Sequence, residues 1–464
     1  MTEIDFFFEP KSIAIIGASD TLRFGYTTTK YLLNSKFKTF PVHLYKKEIL
    51  GHKAYKNIND IPEDIELAIL LVPNERVLQT IKDCAEKGVK GIIIETAGFA
   101  ETGENKYINI QNEILKIAKE KNIRIIGPNC VGLTNFNNEF SSAEVDFNNV
   151  VKGKISVIAQ SGVLGNVFID WAAGQKIGFS KAITLGNKID IDEVDMLDYL
   201  NVDPDTNIIT LYLEGTKRGN EFKQILKQMK KPVLILKNGR SESGSNAIKS
   251  HTASIAGNDK IYNAIIKQNQ GIFRVNNFYE MFNIAQVFST QPLPKGKNVA
   301  IITGSGSLGI LACDEIEKQA LSLAKLNEET INKIKAAIPK WVSIKGTIDL
   351  GPSMATSFIP SLKAILNDNN VDSLLFIFCI PRGPLQQFKQ LSIIIESYFR
   401  LMKKLLTKVN KPCICVCFGS RWVFDFVLKN ASKFEIPVMT RIKYAIKAFK
   451  MMYQYGQHMR NEEN

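Results

Sequence analysis

Short β-branched runs that stop at glycine or proline alternate with amphipathic helical stretches through the first third of the chain. This alternation constrains the fold more than any other feature. Residues 12–16 (Ser-Ile-Ala-Ile-Ile) stop at Gly17, and residues 67–72 stop at Pro73. Residues 91–95 run into Ala97-Gly98, and residues 124–126 into Gly127-Pro128-Asn129. Helical periodicity covers 76–87 and 108–121 between them. Strands alternating with helices build βαβ units, and these build a parallel, doubly wound α/β sheet. Such a sheet carries its ligand crevice at the carboxyl ends of the strands.

The remaining two thirds looks internally duplicated. Residues 155–165 read ISVIAQSGVLG and residues 299–309 read VAIITGSGSLG. A second echo follows each: Lys231-Pro232-Val233-Leu234-Ile235-Leu236 resembles Lys411-Pro412-Cys413-Ile414-Cys415-Val416. Two echoes in the same order predict two related α/β domains, near 150–290 and 295–460, after a first domain over 1–135. The 464 residues fit roughly three domains of about 150 residues each.

Composition excludes several classes. Hydrophobic residues make up 45% and charged residues 23%, which suits a soluble globular chain. No apolar run reaches membrane-spanning length, so no membrane association is expected. The first residues, MTEIDFFFEPKS, carry acids where a signal peptide carries bases. Seven scattered cysteines do not form a disulfide framework, and a cytoplasmic location is expected. The net charge is +13, but the lysines are spread along the chain with no block of five or six. A solvated basic surface explains this, and nucleic acid is not an expected partner.

Several motifs carry chemistry. Gly17-Ala18-Ser19 sits where a dinucleotide fingerprint would sit, but G-x-G-x-x-G fails because position 19 is Ser and position 22 is Leu. The second strand, near 41–44, ends in Tyr45-Lys46-Lys47 rather than in an acid. Bases there suit a ribose bearing phosphate, so coenzyme A and NADP both remain open. Ser161-Gly162 and Ser305-Gly306-Ser307 each open a helix after a buried strand. Free N–H groups and the helix dipole make such ends attractive to phosphate, and two in duplicated domains suit one anion held from both sides. His251 is one of four histidines and follows a run of small polar residues, 241–246. Its imidazole is a nucleophile at neutral pH. Glu214 ends the strand 208–213, where its carboxylate can hold an imidazole in one tautomer. Cys413, Cys415 and Cys417 share one strand face, with no nearby Cys or His to complete a metal site. No metal site is expected on the chain. No G-x-S-x-G elbow supports a serine hydrolase.

With Lys237-Asn238-Gly239-Arg240 leading to Ser250-His251-Thr252 and Ala256-Gly257, the sequence resembles the α subunits of ADP-forming acyl-CoA synthetases, in the succinyl-CoA ligase superfamily. Ile16-Gly17-Ala18-Ser19, Val72-Pro73, Gly98-Phe99-Ala100-Glu101 and Gly127-Pro128-Asn129-Cys130-Val131-Gly132 match its CoA-binding domain. Gln160-Ser161-Gly162, Leu185-Gly186-Asn187, Asp203-Pro204-Asp205-Thr206 and Tyr212-Leu213-Glu214-Gly215 match its first ligase domain. Ser305 to Gly309 and Ile348-Asp349-Leu350 match its last. The resemblance implies a Rossmann-like CoA-binding domain followed by two related flavodoxin-like ligase domains.

It also implies a reaction, acyl-CoA + ADP + phosphate ⇌ acid + CoA + ATP, through an acyl phosphate and a phosphohistidine. His251 matches the histidine that carries the phosphoryl group, and Glu214 the glutamate that orients it. Ser161, Gly162, Ser305, Gly306 and Ser307 match the phosphate-binding helix ends. Gly17, Ala18, Ser19, Lys46, Pro73, Asn129 and Cys130 match the CoA site. The nucleotide, ADP or ATP with Mg2+, is expected on a separate ATP-grasp β subunit in an α2β2 assembly, because no region of this chain resembles that domain. The other substrates are CoA and a small carboxylic acid. The chain departs from the family pattern at Ala253, His43, Ser305 and Gly346-Thr347. Those departures motivate a rival, a non-catalytic CoA-binding or regulatory protein with the same fold. The basic end of the second strand motivates another, an NADP-dependent oxidoreductase.

Overall fold

The computed structural model describes residues 4–244, 258–340, 342, 344, 347–387 and 389–463. The chain divides into two compact units, residues 1–276 and 277–464.

The first unit contains two sheets. In the first sheet, β1 (Ile13–Ile16) pairs in parallel with β2 (Thr39–Val42). A small hairpin, β3 (Glu48–Ile49) and β4 (His52–Lys53), follows. Then come β5 (Leu67–Leu70), β6 (Gly91–Ile94) and β7 (Arg124–Ile126), giving the order β2-β1-β5-β6-β7. All of β1, β5 and β6 is buried, as an all-parallel sheet covered on both faces requires. Pro41 lies in β2 opposite Ile15, and it is tolerated there because β2 is an edge strand. The helix Asn74–Lys87 ends at Gly88 with φ +77°, a left-handed cap that glycine supplies at little cost.

The second sheet adds β8 (Leu133–Asn135), β9 (Phe140–Ser141), β10 (Val151–Ala159), β11 (Gly178–Thr184), β12 (Ile208–Leu213), β13 (Val233–Lys237) and β14 (Ile272–Arg274). Its order is β14-β13-β12-β10-β11-β8-β9, parallel except for the antiparallel β8 and β9. These two strands were not foreseen. Leu-Thr-Asn and Phe-Ser are too short and too polar to show a strand period. Through them the chain leaves the first sheet and extends the second. One apolar cluster consequently runs from Phe7, Ile13 and Ile69 to Ile158, Leu211 and Ile235.

A polar network pins the middle of this sheet. Lys181 and Asp203, each about 95% buried or more, pair at 2.8 Å. Ser156 Oγ lies 2.7 Å from both Ser180 Oγ and Thr206 Oγ1, and Thr206 donates to Asp203. The Asp203-Pro204-Asp205-Thr206 motif therefore closes the bottom of β10 and β11.

The second unit holds the third sheet, of β15 (Asn298–Thr303), β16 (Ser322–Leu323), β17 (Ile348–Asp349), β18 (Ser373–Phe378), β19 (Cys413–Cys417) and β20 (Val438–Met439). Its order is β16-β15-β18-β19-β20, with β17 also paired to β15, and all pairings are parallel. The fold is thus α/β with parallel, doubly wound sheets, as the alternation predicts. Cys413, Cys415 and Cys417 share one face of β19 and are packed into its apolar cluster. Burial raises each of their thiol pKa values.

Removing one partner of a buried pair leaves the other charge uncompensated. Lys181→Met is expected to lower the stability of the first unit by about 3–5 kcal/mol in urea unfolding.

Candidate functional site

The first sheet opens a cleft of about 1180 Å³ at the carboxyl ends of its strands. Gly17, after β1, forms its floor with φ +92°. A Cβ there would meet the Leu71 carbonyl oxygen at 2.7 Å, so only glycine lets the turn pass. Lys46 and Pro73 line the same cleft, as do Arg23, Lys56 and Arg76. Lys46 is already paired, at 2.5 Å to Oδ1 of Asp20. Its hydrogen bond holds the Asp20 carboxyl below the usual carboxylate range. His43 Nδ1 accepts from the backbone N–H groups of Tyr45 and Lys46, at 3.2 and 3.1 Å, and closes the turn after β2. Partial burial, then Lys46 and Arg23, lower its pKa, so it stays neutral.

Of the other residues expected at the CoA site, Ala18 and Ser19 are buried beneath the turn rather than lining the cleft. The Ser19 hydroxyl accepts from Arg23 Nε at 3.0 Å and so orients that guanidinium. Asn129 and Cys130 follow β7. Asn129 N–H donates to the Thr96 carbonyl at 2.9 Å, and Cys130 Sγ donates to the Ile94 carbonyl at 3.3 Å. Burial pushes the Cys130 thiol up, so it is not a thiolate.

A second cluster lies at the carboxyl ends of the second sheet. Ser161 precedes the helix Gly162–Gly174 without a side-chain cap. This differs from Asp192, Asn277, Asn327 and Ser420, whose side chains all cap their helices. Gly162 is glycine for a packing reason, since a Cβ would meet Val131 Cγ2 at 2.4 Å. The Gly127–Gly132 motif of the first sheet therefore abuts the helix start of the second. Glu214 follows β12 and is 97% buried. Tyr212 donates to its Oε1 at 3.2 Å, and Asn238 Nδ2 donates to the Tyr212 hydroxyl at 3.2 Å. Gln160 Oε1 accepts from the backbone N–H groups of Glu214 and Gly215, at 2.9 and 3.1 Å. Lys237 is buried nearby, and desolvation lowers its pKa to about 8. Asn187 joins the two sheets by donating to Glu101 Oε2 at 2.6 Å and Gln111 Oε1 at 2.9 Å.

In the second unit, Ser305 precedes the helix Gly306–Lys318, again without a side-chain cap. Its hydroxyl lies 3.0 Å from that of Ser307. Asp349 stands close, since a Cβ on Gly306 would meet its Oδ2 at 2.8 Å. His251 lies outside the described residues. Among the described residues, no group of three or more His, Cys, Asp or Glu side chains could hold a metal, and no helix is long and apolar enough to cross a membrane.

The structure thus brings Gly17, Lys46 and Pro73 to one cleft, and Cys130, Ser161, Gly162 and Glu214 to the neighbouring strand ends. The sequence reading missed Arg23, Arg76, Gln160 and Tyr212. Gln160 and Tyr212 stand inside quoted motifs, but nothing in sequence marks the two arginines.

A relative from Pyrococcus furiosus, the α subunit of acetate–CoA ligase (ADP-forming) II, is 42% identical over 82% of this chain and 83% of its own length. The chain belongs to the α subunits of ADP-forming acyl-CoA synthetases. Residues 11–135 match the CoA binding domain family, and residues 152–288 the succinyl-CoA ligase like flavodoxin domain family. Acetate–CoA ligase (ADP-forming) II from Archaeoglobus fulgidus is 36% identical over 97% of this chain, which spans 66% of that relative's length. A solved structure of acetyl-coenzyme A synthetase 1 from Ca. Korarchaeum cryptofilum, in complex with phosphate and ADP, has a TM-score of 0.88 and 27% identity. It covers 98% of this chain and 97% of its own. Membership of this α-subunit family sets aside the oxidoreductase reading.

Gln160→Ala would orphan two buried N–H groups beneath Glu214. It is expected to cost about 1–3 kcal/mol in thermal or urea unfolding.

Proposed function

We propose that this chain is the catalytic α subunit of an NDP-forming acyl-CoA synthetase: acyl-CoA + ADP + phosphate ⇌ carboxylic acid + CoA + ATP. The observation that carries the reading is the uncapped helix start at Ser161-Gly162 beside a buried, hydrogen-bonded Glu214. Unsatisfied N–H groups and the helix dipole favour a phosphoryl group there. Phosphate attacks the thioester carbonyl and the thiol leaves, giving an acyl phosphate. His251 then takes the phosphoryl group as nucleophile and releases the acid. Glu214, fixed by Tyr212, accepts from the imidazole N–H and holds the other nitrogen toward phosphorus. Ser161 and Gly162 stabilise the charge of the group in transfer, and Ser305, Gly306 and Ser307 open a second uncapped helix of the phosphate-binding kind in the other unit.

CoA occupies the cleft of the first sheet. Its phosphates lie against Arg23, Lys46, Lys56 and Arg76, and Gly17 and Pro73 line the path. Ala18, Ser19, Asn129 and Cys130 shape the turns around it. The chain is read as three domains, 1–135, 150–290 and 295–460, with β8 (Leu133–Asn135) at the end of the first range joining the second sheet. The nucleotide and its Mg2+ sit on an ATP-grasp β subunit in an α2β2 complex in the cytoplasm; the name of the Pyrococcus furiosus relative, a subunit α, supports only the presence of a partner subunit.

Asp349 beside Gly306 favours a second reading, because an acid at that helix start opposes an anion. In that reading the chain binds CoA without phosphoryl transfer.

With the partner present, labelled phosphate from ATP is expected on the wild-type chain and absent from His251→Ala. Equal labelling of both overturns the phosphohistidine. Arg23→Ala is expected to weaken CoA binding by about tenfold or more in calorimetry, as loss of a charge-assisted hydrogen bond predicts. Lys46→Ala is expected to weaken it less, because Asp20 already holds that ammonium.

A further inference from the structure

Glu95 follows β6 and lines the same cleft as Gly17 and Pro73. It is 94% buried, and its Oε1 has no hydrogen-bond partner among the described residues. A buried polar atom without a partner is costly and uncommon, and it marks a group kept for another purpose. The charged groups around it are few. Glu144 raises its pKa further, and the neighbouring Cys130 thiol is itself kept neutral by burial. Desolvation is the larger cause, so the Glu95 carboxyl titrates well above the ordinary carboxylate range.

Its place along the cleft says which part of a ligand it meets. Arg23 and Lys46 follow β1 and β2 at one edge of the sheet and Lys56 lies beside β2, while Arg76 opens the helix after β5. Glu95 stands at the end of β6, three strands from β2 in the order β2-β1-β5-β6-β7. At about 4.8 Å per strand that is roughly 14 Å, which puts it far along an extended ligand whose phosphates lie on the cations of that edge. At that end the chain runs into the other half of the site. A Cβ on Gly132 would meet Glu95 Oε1 at 3.0 Å, and the preceding residue, Val131, packs against Gly162 at the start of the phosphate-binding helix. The reacting end of the ligand must approach that helix.

We propose that Glu95 is the acid–base residue for the CoA thiol. The inference rests on reading the cleft as the CoA site. In thioester formation the Glu95 carboxylate takes the S–H proton while sulfur bonds to the acyl carbon. The carbon–oxygen bond of the acyl phosphate breaks, and phosphate departs with the electron pair. In thioester breakdown phosphate oxygen attacks the acyl carbon, and protonated Glu95 returns the proton to the leaving sulfur. No oxidant or further reactant is needed. The neutral resting form suits the direction that starts from acyl-CoA.

The test compares wild type with Glu95→Gln in the complex with its partner, measuring thioester formation and breakdown against pH, with CoA binding by calorimetry. Glutamine keeps the shape and cannot exchange the proton. Loss of a general acid–base is worth about 100-fold or more, so kcat is expected to fall about 100-fold while CoA affinity stays within a factor of about three. In wild type, kcat/KM for formation rises with pH and that for breakdown falls, both through the Glu95 pKa. Both limbs vanish in the variant. Where the glutamine chain does not fold, Glu95→Asp is read instead: the shorter acid is expected to keep both limbs at reduced kcat. Unchanged kcat or unchanged limbs in Glu95→Gln, or absent limbs in Glu95→Asp, overturn the proposal while CoA binding stands. A wild-type chain that fails to bind CoA overturns the cleft reading, and the proposal with it.

Discussion

Everything at the candidate site depends on how the first sheet is fastened to the second. The chain leaves β7, turns through Gly127–Gly132 and donates two strands to the edge of the next sheet. Asn187, which follows β11, reaches back to Glu101 and Gln111, and Arg124 at the start of β7 pairs with Asp190 at 3.0 Å. Single hydrogen bonds of this kind contribute about 1 kcal/mol net. Their value here is geometric, because they hold two sets of strand ends in one register. Parallel sheets concentrate ligand contacts at their carboxyl ends, and two such ends joined rigidly can grip a long ligand at one place and react with it at another.

The Lys181–Asp203 network shows how an imitation of chemistry arises. A buried lysine, two acids, two serines and a threonine read as a reactive cluster when only their types are known. In the fold they lie below the strand ends that carry Ser161 and Glu214, around mid-strand Ser156 and Lys181 and the turn before β12. Their hydroxyls satisfy one another, and the ammonium also lies 5.8 and 5.9 Å from the ring centroids of Phe8 and Tyr199. An α/β sheet has a chemical end and a structural end, and the Asp203–Thr206 motif belongs to the latter. Retention of a family motif is therefore no sign by itself that it touches substrate.

Much of the fold was legible because a buried parallel strand must be apolar and must stop where the chain turns. Residues 13–16, 67–70 and 208–213 satisfy both conditions, and the structure places strands there. The duplication was legible for the same reason: ISVIAQSG and VAIITGSG each give a buried strand followed by a helix start. β8 and β9 were not legible, since two- and three-residue strands carry no period. At the site, residues fixed by local chain geometry could be read, as at Gly17, Ser161 and Glu214. Residues that reach the site through a long side chain from elsewhere could not. Arg23 and Arg76 look like any surface arginine until the turn after β1 and the helix after Pro73 are placed around one cleft. Glu95 is the opposite case. As the last residue of a strand run it reads as a solvated strand end, and only its burial against Gly132 distinguishes it.

The strand donation at residues 133–141 also bears on heredity. By sequence position these residues close the first βαβ series, but by hydrogen bonding they finish the second sheet. A gene rearrangement that broke the chain near residue 145, between β9 and β10, would strip β8 from β11 and open that edge of the second sheet, a template for aggregation. It would also cut through one continuous apolar cluster. A break after the first unit does neither, because the last strand of that sheet, β14, has already been laid down. The two sheets of the first 276 residues are thus held together as one compact unit.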